Sequence, residues 1–243
     1  MKGKTLRGPA AKSGKTIIFV GPTLAAEEAR ARLPGAIVRP PAAVGDILDL
    51  ALGRARPARI ALIDGYFEGM AAVWHKELLL AQERGIAIYG AASMGALRAA
   101  ELAPFGMIGV GKIYRAFARG ELVADDEVAV AHLPAAQGFR PVSDALVNLR
   151  FGLARAPVAA ARFIELARAR FYRERSWRRL VEDARAAGLP AAKLEAWLRT
   201  PPPDQKATDA RALLATLARG SHQPRRAIRV PRTWALRQLI AIR

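Results

Sequence analysis

The amino-acid sequence predicts an α/β fold: a mostly parallel sheet with helices on both faces, followed by a C-terminal helical appendage. Three observations carry this expectation. Short, uninterrupted apolar runs recur at residues 17–20, 37–38, 60–63 and 86–89, the pattern of strands buried on both sides. Most of these runs stop at a turn-forming group, Gly21-Pro22-Thr23, Asp64-Gly65 or Gly90-Ala91-Ala92-Ser93. A helix-forming stretch follows each run, and strand–helix alternation at this spacing builds parallel sheets.

The elements follow in order. After the strand at 17–20, Thr23 is placed to cap a helix with Glu27 and Glu28 in its early turns, and Leu33-Pro34-Gly35 stops it. A strand at 37–38 precedes a helix over 46–52. The strand at 59–63 leads to a helix over about 71–84, closed by Gly85, and the strand at 86–89 leads to a helix over 94–102, ended by Pro104. A glycine-rich stretch (Gly106, Gly109, Gly111) then gives way to a helix over 112–119, an acidic turn at Asp125-Asp126-Glu127 and a strand over 128–132. A helix from about 143 to 153 closes a core domain spanning 17–150. Residues 1–16 read as a basic disordered tail. Residues 151–243 read as a basic helical appendage with a loose end, broken by Pro190 and by Pro201-Pro202-Pro203.

Composition narrows the function. The chain has 243 residues and no cysteine, which excludes disulfide frameworks, thiolate metal sites and any thiol-based acyl or persulfide chemistry. His, Asp and Glu do not cluster as metal ligands, and no cofactor is expected. The net charge of +18 divides into +5 over residues 1–16, zero over 17–150 and +13 over 151–243. The core is therefore electrically balanced, and the excess lies in flanks rich in Arg and Ala. Nucleic acid is not expected as a partner; if the flanks did bind RNA, that binding would depend steeply on salt. No apolar run reaches the roughly 18 residues a membrane helix needs, and the first residues lack the apolar stretch of a secretory signal. A cytoplasmic protein without a membrane association is expected.

Two phosphate-loop look-alikes fail on spacing and context. Gly8 to Thr16 ends in Gly-Lys-Thr, but has five residues between its glycines where the loop requires four, and it precedes a strand. The triplet Gly106, Gly109, Gly111 inverts the dinucleotide spacing and follows a helix. Ser93 is the stronger signal. Ala91-Ala92-Ser93-Met94-Gly95 resembles a nucleophile elbow with alanine at the first glycine, between an apolar strand and a helix. Such a serine projects at the carboxyl edge of the sheet, where open α/β sheets bind ligands. The amides of Met94 and Gly95 are then placed to hold an oxyanion. The competing reading has Ser93 do no more than cap the helix.

A serine nucleophile needs a base, and the histidines are His75, His132 and His222. Lys76 is a further candidate, since its helix starts near the same edge; a lysine base needs burial to bring its pKa from about 10.4 towards neutrality. His75 lies one residue from Lys76, about 100° round the helix, so one of the two faces Ser93. Glu77 reads as an ordinary ion-pair partner. Arg98 and Glu101 can pair with each other, with Arg98 placed to meet an anion at the site mouth. Asp64 orients a substrate or the base, or caps its own turn, and the acidic turn at Asp125 reads as solvated.

Together these segments resemble the TfuA-like family. The matching residues are IFVGPT at 18–23, RPP at 39–41 with Gly45-Asp46, LIDG at 62–65, VWHKE at 73–77 and GAASMGALRAAEL at 90–102. FGMIGVG at 105–111, DDEVAV at 125–130 and ALVNLR at 145–150 follow in the family's order. The resemblance implies a partner of YcaO-type enzymes in peptide backbone thioamidation. It implies hydrolysis of the C-terminal thiocarboxylate of a ThiS-like sulfur-carrier protein, releasing sulfide. It also implies a Ser–Lys pair, carried over as Ser93 for the nucleophile and Lys76 for its base. The alternative is a non-catalytic scaffold that recruits the YcaO protein and its peptide substrate.

Overall fold

The computed structural model describes residues 14–220 and 229–243. Five strands, β1 (Thr16–Phe19), β2 (Ile37–Arg39), β3 (Arg59–Leu62), β4 (Ala87–Ala91) and β5 (Ile108–Val110), form one all-parallel sheet in the order β2-β1-β3-β4-β5. This is the expected α/β class with C-terminal helices. Phe19 is registered with Leu62, and Leu62 with Gly90, so β1, β3 and β4 end side by side. The chain runs from β1 outward to β2, then returns past β1 to β3. The switch point where ligands bind such sheets therefore lies between the ends of β1 and β3.

The order also explains how the two faces are covered. Right-handed crossovers put α1 (Ala26–Arg32), which joins β1 to β2, on one face. They put α2 (Asp46–Leu52), α3 (His75–Glu83) and α4 (Met94–Leu102) on the other. On that second face Ile17, Phe19, Ile60, Leu62 and Ile88 pack against Ile47, Leu78 and Ala99. The first face would be half bare with α1 alone, and α10 (Gln205–Ala218) fills the gap. Leu213, Leu214 and Leu217 of α10 pack with Ile18, Ile63 and Tyr89, each leucine contributing about 2 kcal/mol by burial. Residues beyond 150 thus complete the sheet's core, although the sequence placed them in an appendage. They also cap a neighbour: Asp209 Oδ2 accepts from the amide of Ile113 at 2.7 Å, in the first turn of α5 (Lys112–Ala118). Of the expected appendage, α7 (Ala160–Ala169), α8 (Trp177–Ala186) and α9 (Ala191–Trp197) form a cluster with α6 (Leu146–Leu153), the helix expected to close the core domain. A last helix, α11 (Trp234–Ala241), sets Leu239 against Leu48 and Leu80.

Several local expectations are corrected. Residues 128–132 form no strand, and the sheet's fifth strand is Ile108–Val110 in the glycine-rich stretch. Gly109 is needed there because a Cβ would run into the Tyr114 ring. Thr23 does not cap α1; its hydroxyl goes to Asp64, and α1 starts after Ala25 without a side-chain cap. Helix α3 starts at His75 rather than 71, and Glu77 is fully buried, accepting from the amides of Gly45 (2.7 Å), Trp74 (3.0 Å) and Leu48 (3.3 Å). The acidic turn is largely built into the fold. Glu127 is gripped by Arg150 and Asp126 by the buried Arg175. Residues 1–13 of the tail expected over 1–16, and residues 221–228 of the loose basic end, with His222, lie outside the described residues, while Thr16 already belongs to β1.

Arg211 of α10 holds Glu28 of α1 through two bonds, 2.7 and 3.1 Å, and this pulls the Glu28 pKa down to about 2, with Arg32 adding to it. The folded pKa lies below the ordinary 4.5, so the pair stabilises the fold above that pH and loses its contribution as pH falls towards 2. The carboxylate is partly solvated, so the contribution is about 1 kcal/mol. Arg211→Met is expected to lower urea-unfolding stability by about that amount at pH 7. The gap to wild type should close on acidification below pH 4.5; a gap that stayed constant with pH would refute the assignment.

Candidate active site

Ser93 stands where the sequence placed it, between β4 and α4 at the carboxyl edge of the sheet. The turn that presents it is tight. The Ser93 amide donates to the Ala91 carbonyl at 2.8 Å across Ala92, whose φ is +67°. A three-residue turn with a non-glycine centre at positive φ is strained, and such strain is found at functional sites. Gly90 and Gly95 let the turn sit tightly on the sheet. A Cβ at Gly95 would fall on the Leu62 carbonyl, 2.6 Å from its carbon, and one at Gly90 would overlap the backbone of Gly95. The Ser93 hydroxyl makes no capping bond to α4, although the residue occupies the N-cap position and is 8 % exposed. Capping is therefore not what Ser93 does here.

The oxyanion expectation needs correcting. The Gly95 amide donates to the Ile63 carbonyl at 3.1 Å, which joins α4 to the end of β3 and removes that donor from the site. Among the described residues nothing accepts from the Met94 amide, so Met94 alone of the expected pair remains available to an anion.

Ser93 and Met94 line a small cavity with about 40 Å³ of free space, walled also by Asp64, Phe67, Val128 and His132. Asp125 stands in the same wall. Asp64, 2 % exposed, has both oxygens occupied. Oδ2 accepts from the amides of Gly21 (2.8 Å) and Thr23 (3.1 Å), and Oδ1 from the Thr23 hydroxyl (2.6 Å). Its work is to pin the turn after β1 to the end of β3 and so hold the switch point open. Asp64→Asn keeps the shape but cannot satisfy all three donors, and is expected to cost about 2 kcal/mol in denaturant unfolding. Behind the Val128 wall lies Lys206, 3 % exposed, whose ammonium donates to the Val128 carbonyl at 2.7 Å. Burial pulls its pKa down, and the fields of Asp64 and Asp204 oppose that shift.

The other expected site residues lie elsewhere. Lys76 is not in the cavity wall, and its Nζ donates to Thr233 Oγ1, just before α11, at 2.8 Å. His75 Nε2 meets Glu101 Oε2 at 2.7 Å; Arg98 bonds the same oxygen at 2.8 Å and the Val73 carbonyl at 3.2 Å. The Arg98–Glu101 pair anticipated from their spacing is present, but it ties α4 to the start of α3 rather than facing Ser93. What sequence reasoning missed is Lys206 and the part of Asp125 in the wall. Lys206 sits in a C-terminal helix with no local motif around it. Asp125 sits in a turn whose acidity suggested solvation.

A second cavity of about 430 Å³ adjoins the first along the same edge, lined by Gly21, Arg30, Arg39, Pro40 and Phe139. Phe139 meets the His132 ring at 5.7 Å, so the two spaces share a wall. On the other flank Phe67 packs edge-on against Tyr172 at 5.6 Å, and Tyr172 against the half-exposed Phe171 at 4.7 Å.

No curated protein matches the chain. The family model described as TfuA-like protein matches residues 64–176. That span contains the Ser93 turn, Lys76, the acidic turn and His132. Residues 64–176 are therefore similar to the TfuA-like family, which is linked to YcaO-dependent thioamidation.

Proposed function

We propose that the chain hydrolyses a thiocarboxylate at the C-terminus of a ThiS-like carrier protein, with Ser93 as the nucleophile, and so supplies sulfide to a YcaO-type partner that thioamidates a peptide. The observation that carries this reading is the Ser93 hydroxyl itself. It is held at a strained strand-to-helix turn, spends no bond on capping, and lines a cavity at the switch point of the sheet that Asp64, Asp125 and His132 also line. Attack on a thioacid carbonyl gives a tetrahedral anion beside the Met94 amide, and sulfide is a good leaving group. The cavity is small enough to favour a chain end without a bulky side chain. The larger adjoining space and the aromatic flank suit the polypeptide leading up to it. In the Ser–Lys form of the reading, Lys76 would have to leave Thr233 to reach Ser93. The geometry supports the serine more strongly than that lysine.

The test is sulfide release, with the carboxylate product identified by mass, from a thiocarboxylated ThiS-like carrier. Wild type is expected to exceed the buffer rate clearly. If it matches buffer on several carriers and still binds its YcaO partner, the scaffold reading replaces this one.

A further inference from the structure

We infer that the exposed ring of Phe171 seats the folded body of the carrier protein whose tail enters the Ser93 cavity; this rests on the proposed reading of that carrier as substrate. A tail that reaches a cavity of about 40 Å³ leaves its own folded body outside the mouth, so part of the rim must carry it. Three aromatic rings lead from the cavity to the surface. Phe67 lines the cavity wall, and its ring meets that of Tyr172 edge-on at 5.6 Å. Tyr172 in turn meets Phe171 at 4.7 Å. Phe171 thus stands at the surface, two ring-to-ring steps from the wall that faces Ser93.

The ring is held ready rather than left loose. Phe171 is 53 % exposed, while Tyr172 beneath it is buried. The Tyr172 hydroxyl donates to Glu68 Oε2 at 2.9 Å and accepts from Arg173 Nε at 2.9 Å, which fixes the ring that Phe171 rests on. The Arg173 guanidinium lies 6.0 Å from the centre of the Phe171 ring and 5.6 Å from that of Tyr172. A large ring left in water forgoes the gain of burial, and one already fixed on a buried neighbour loses little freedom when a partner covers it. Exposed aromatic rings beside arginine are the usual composition of a binding hot spot.

Charge gives the partner its character. Residues 151–200 carry 11 Lys and Arg against 5 Asp and Glu. Arg168 and Arg173, on either side of Phe171 in the chain, are both exposed. Arg168 reaches Glu127 only at 3.8 Å, and Arg173 reaches Glu68 only at 3.5 Å, so both keep donors for a partner. The nearby acid Glu174 is turned to Arg170 at 3.6 Å. The seat is therefore an apolar ring in a basic surround. It fits a carrier surface with an apolar spot bordered by Asp and Glu, close to the root of its tail. Exposed charges of this kind steer the encounter, and the ring carries most of the affinity.

The test compares a thiocarboxylated ThiS-like carrier, which has a folded body, with N-acetylglycine thiocarboxylate, which has none. Phe171→Asp is expected to raise KM for the carrier by about 10-fold or more, with kcat within about two-fold of wild type. Hydrolysis of the small thioacid should be unchanged. Phe171→Trp, which keeps an aromatic ring, should stay within a few-fold of wild type on both. Added salt should raise the wild-type KM for the carrier alone. Independently, p-benzoylphenylalanine introduced at position 171 should crosslink under light to the carrier in its carboxylate form, the site being located by peptide mass. A folded Phe171→Asp variant with the wild-type KM overturns the proposal, as do crosslinks that join position 171 only to a YcaO protein or to a second copy of this chain. Hydrolysis of the small thioacid without binding or crosslinking of any carrier overturns the seat and leaves Ser93 as nucleophile. Crosslinking to the carrier, with binding lost in Phe171→Asp but no hydrolysis of either substrate, upholds the seat and refutes the hydrolase reading.

Discussion

Ser93→Ala is expected to reduce sulfide release to the rate of buffer, a loss of at least about 10³-fold, while leaving the fold intact. Both halves follow from the same geometry. On the proposed reading, removal of the hydroxyl removes the atom that would form the acyl intermediate; Asp64, in the same wall, is held by three donors. The hydroxyl also makes no cap bond, so its loss leaves no backbone amide newly unpaired. Thermal stability should therefore change by less than about 1 kcal/mol. A capping serine would give the opposite pattern: its alanine variant would lose about 1 kcal/mol and keep activity. Measuring melting temperature and sulfide release on the same preparation separates the two. A variant that keeps activity and loses stability would sink the catalytic reading.

The sheet and the position of Ser93 were legible in the sequence because they rest on local physics. Strands β1, β3 and β4 are buried on both faces and so read as unbroken apolar runs, and the bounds 46–52 and 94–102 of α2 and α4 agree with the structure. Strand β5 was hidden by Gly109, a residue that weakens any strand signal but is required here by the Tyr114 ring. Residues 128–132 looked like a strand because Val128 and Val130 are apolar. Both bury that surface against α5 and α6 without joining the sheet, and the Val128 carbonyl takes Lys206 in place of a neighbouring strand. Contacts distant in sequence were not legible. Nothing near Lys206 or Asp209 announces that their helix closes the bare sheet face, caps α5 and backs the active-site wall. The same holds for the candidate bases: only the fold puts His132 in the wall of the Ser93 cavity and engages His75 with Glu101 and Lys76 with Thr233.

Gly95→Ala is expected to be strongly destabilising for a single added methyl, costing about 3 kcal/mol or more. Alanine is ordinarily favoured over glycine in a helix by about 1 kcal/mol, so propensity predicts the opposite sign. Packing decides the outcome. The added carbon would coincide with the Leu62 carbonyl and lie 3.3 Å from the Ile63 Cα, and both are backbone atoms of a central strand that no rotamer change can clear. Relief requires α4 to lift from β3, which breaks the Gly95–Ile63 hydrogen bond and opens the core behind Met94 and Ala99. Ser93 moves with that first turn, so activity should fall even in the fraction that remains folded. Gly69→Ala serves as the control, since a Cβ there meets nothing within 4 Å, and its effect should stay within about 0.5 kcal/mol. Urea unfolding of the two variants beside wild type decides the matter. Equal stability of Gly95→Ala and wild type would mean that α4 does not rest on β3 as closely as described. The fixed placement of Ser93, on which its chemistry depends, would then need another cause.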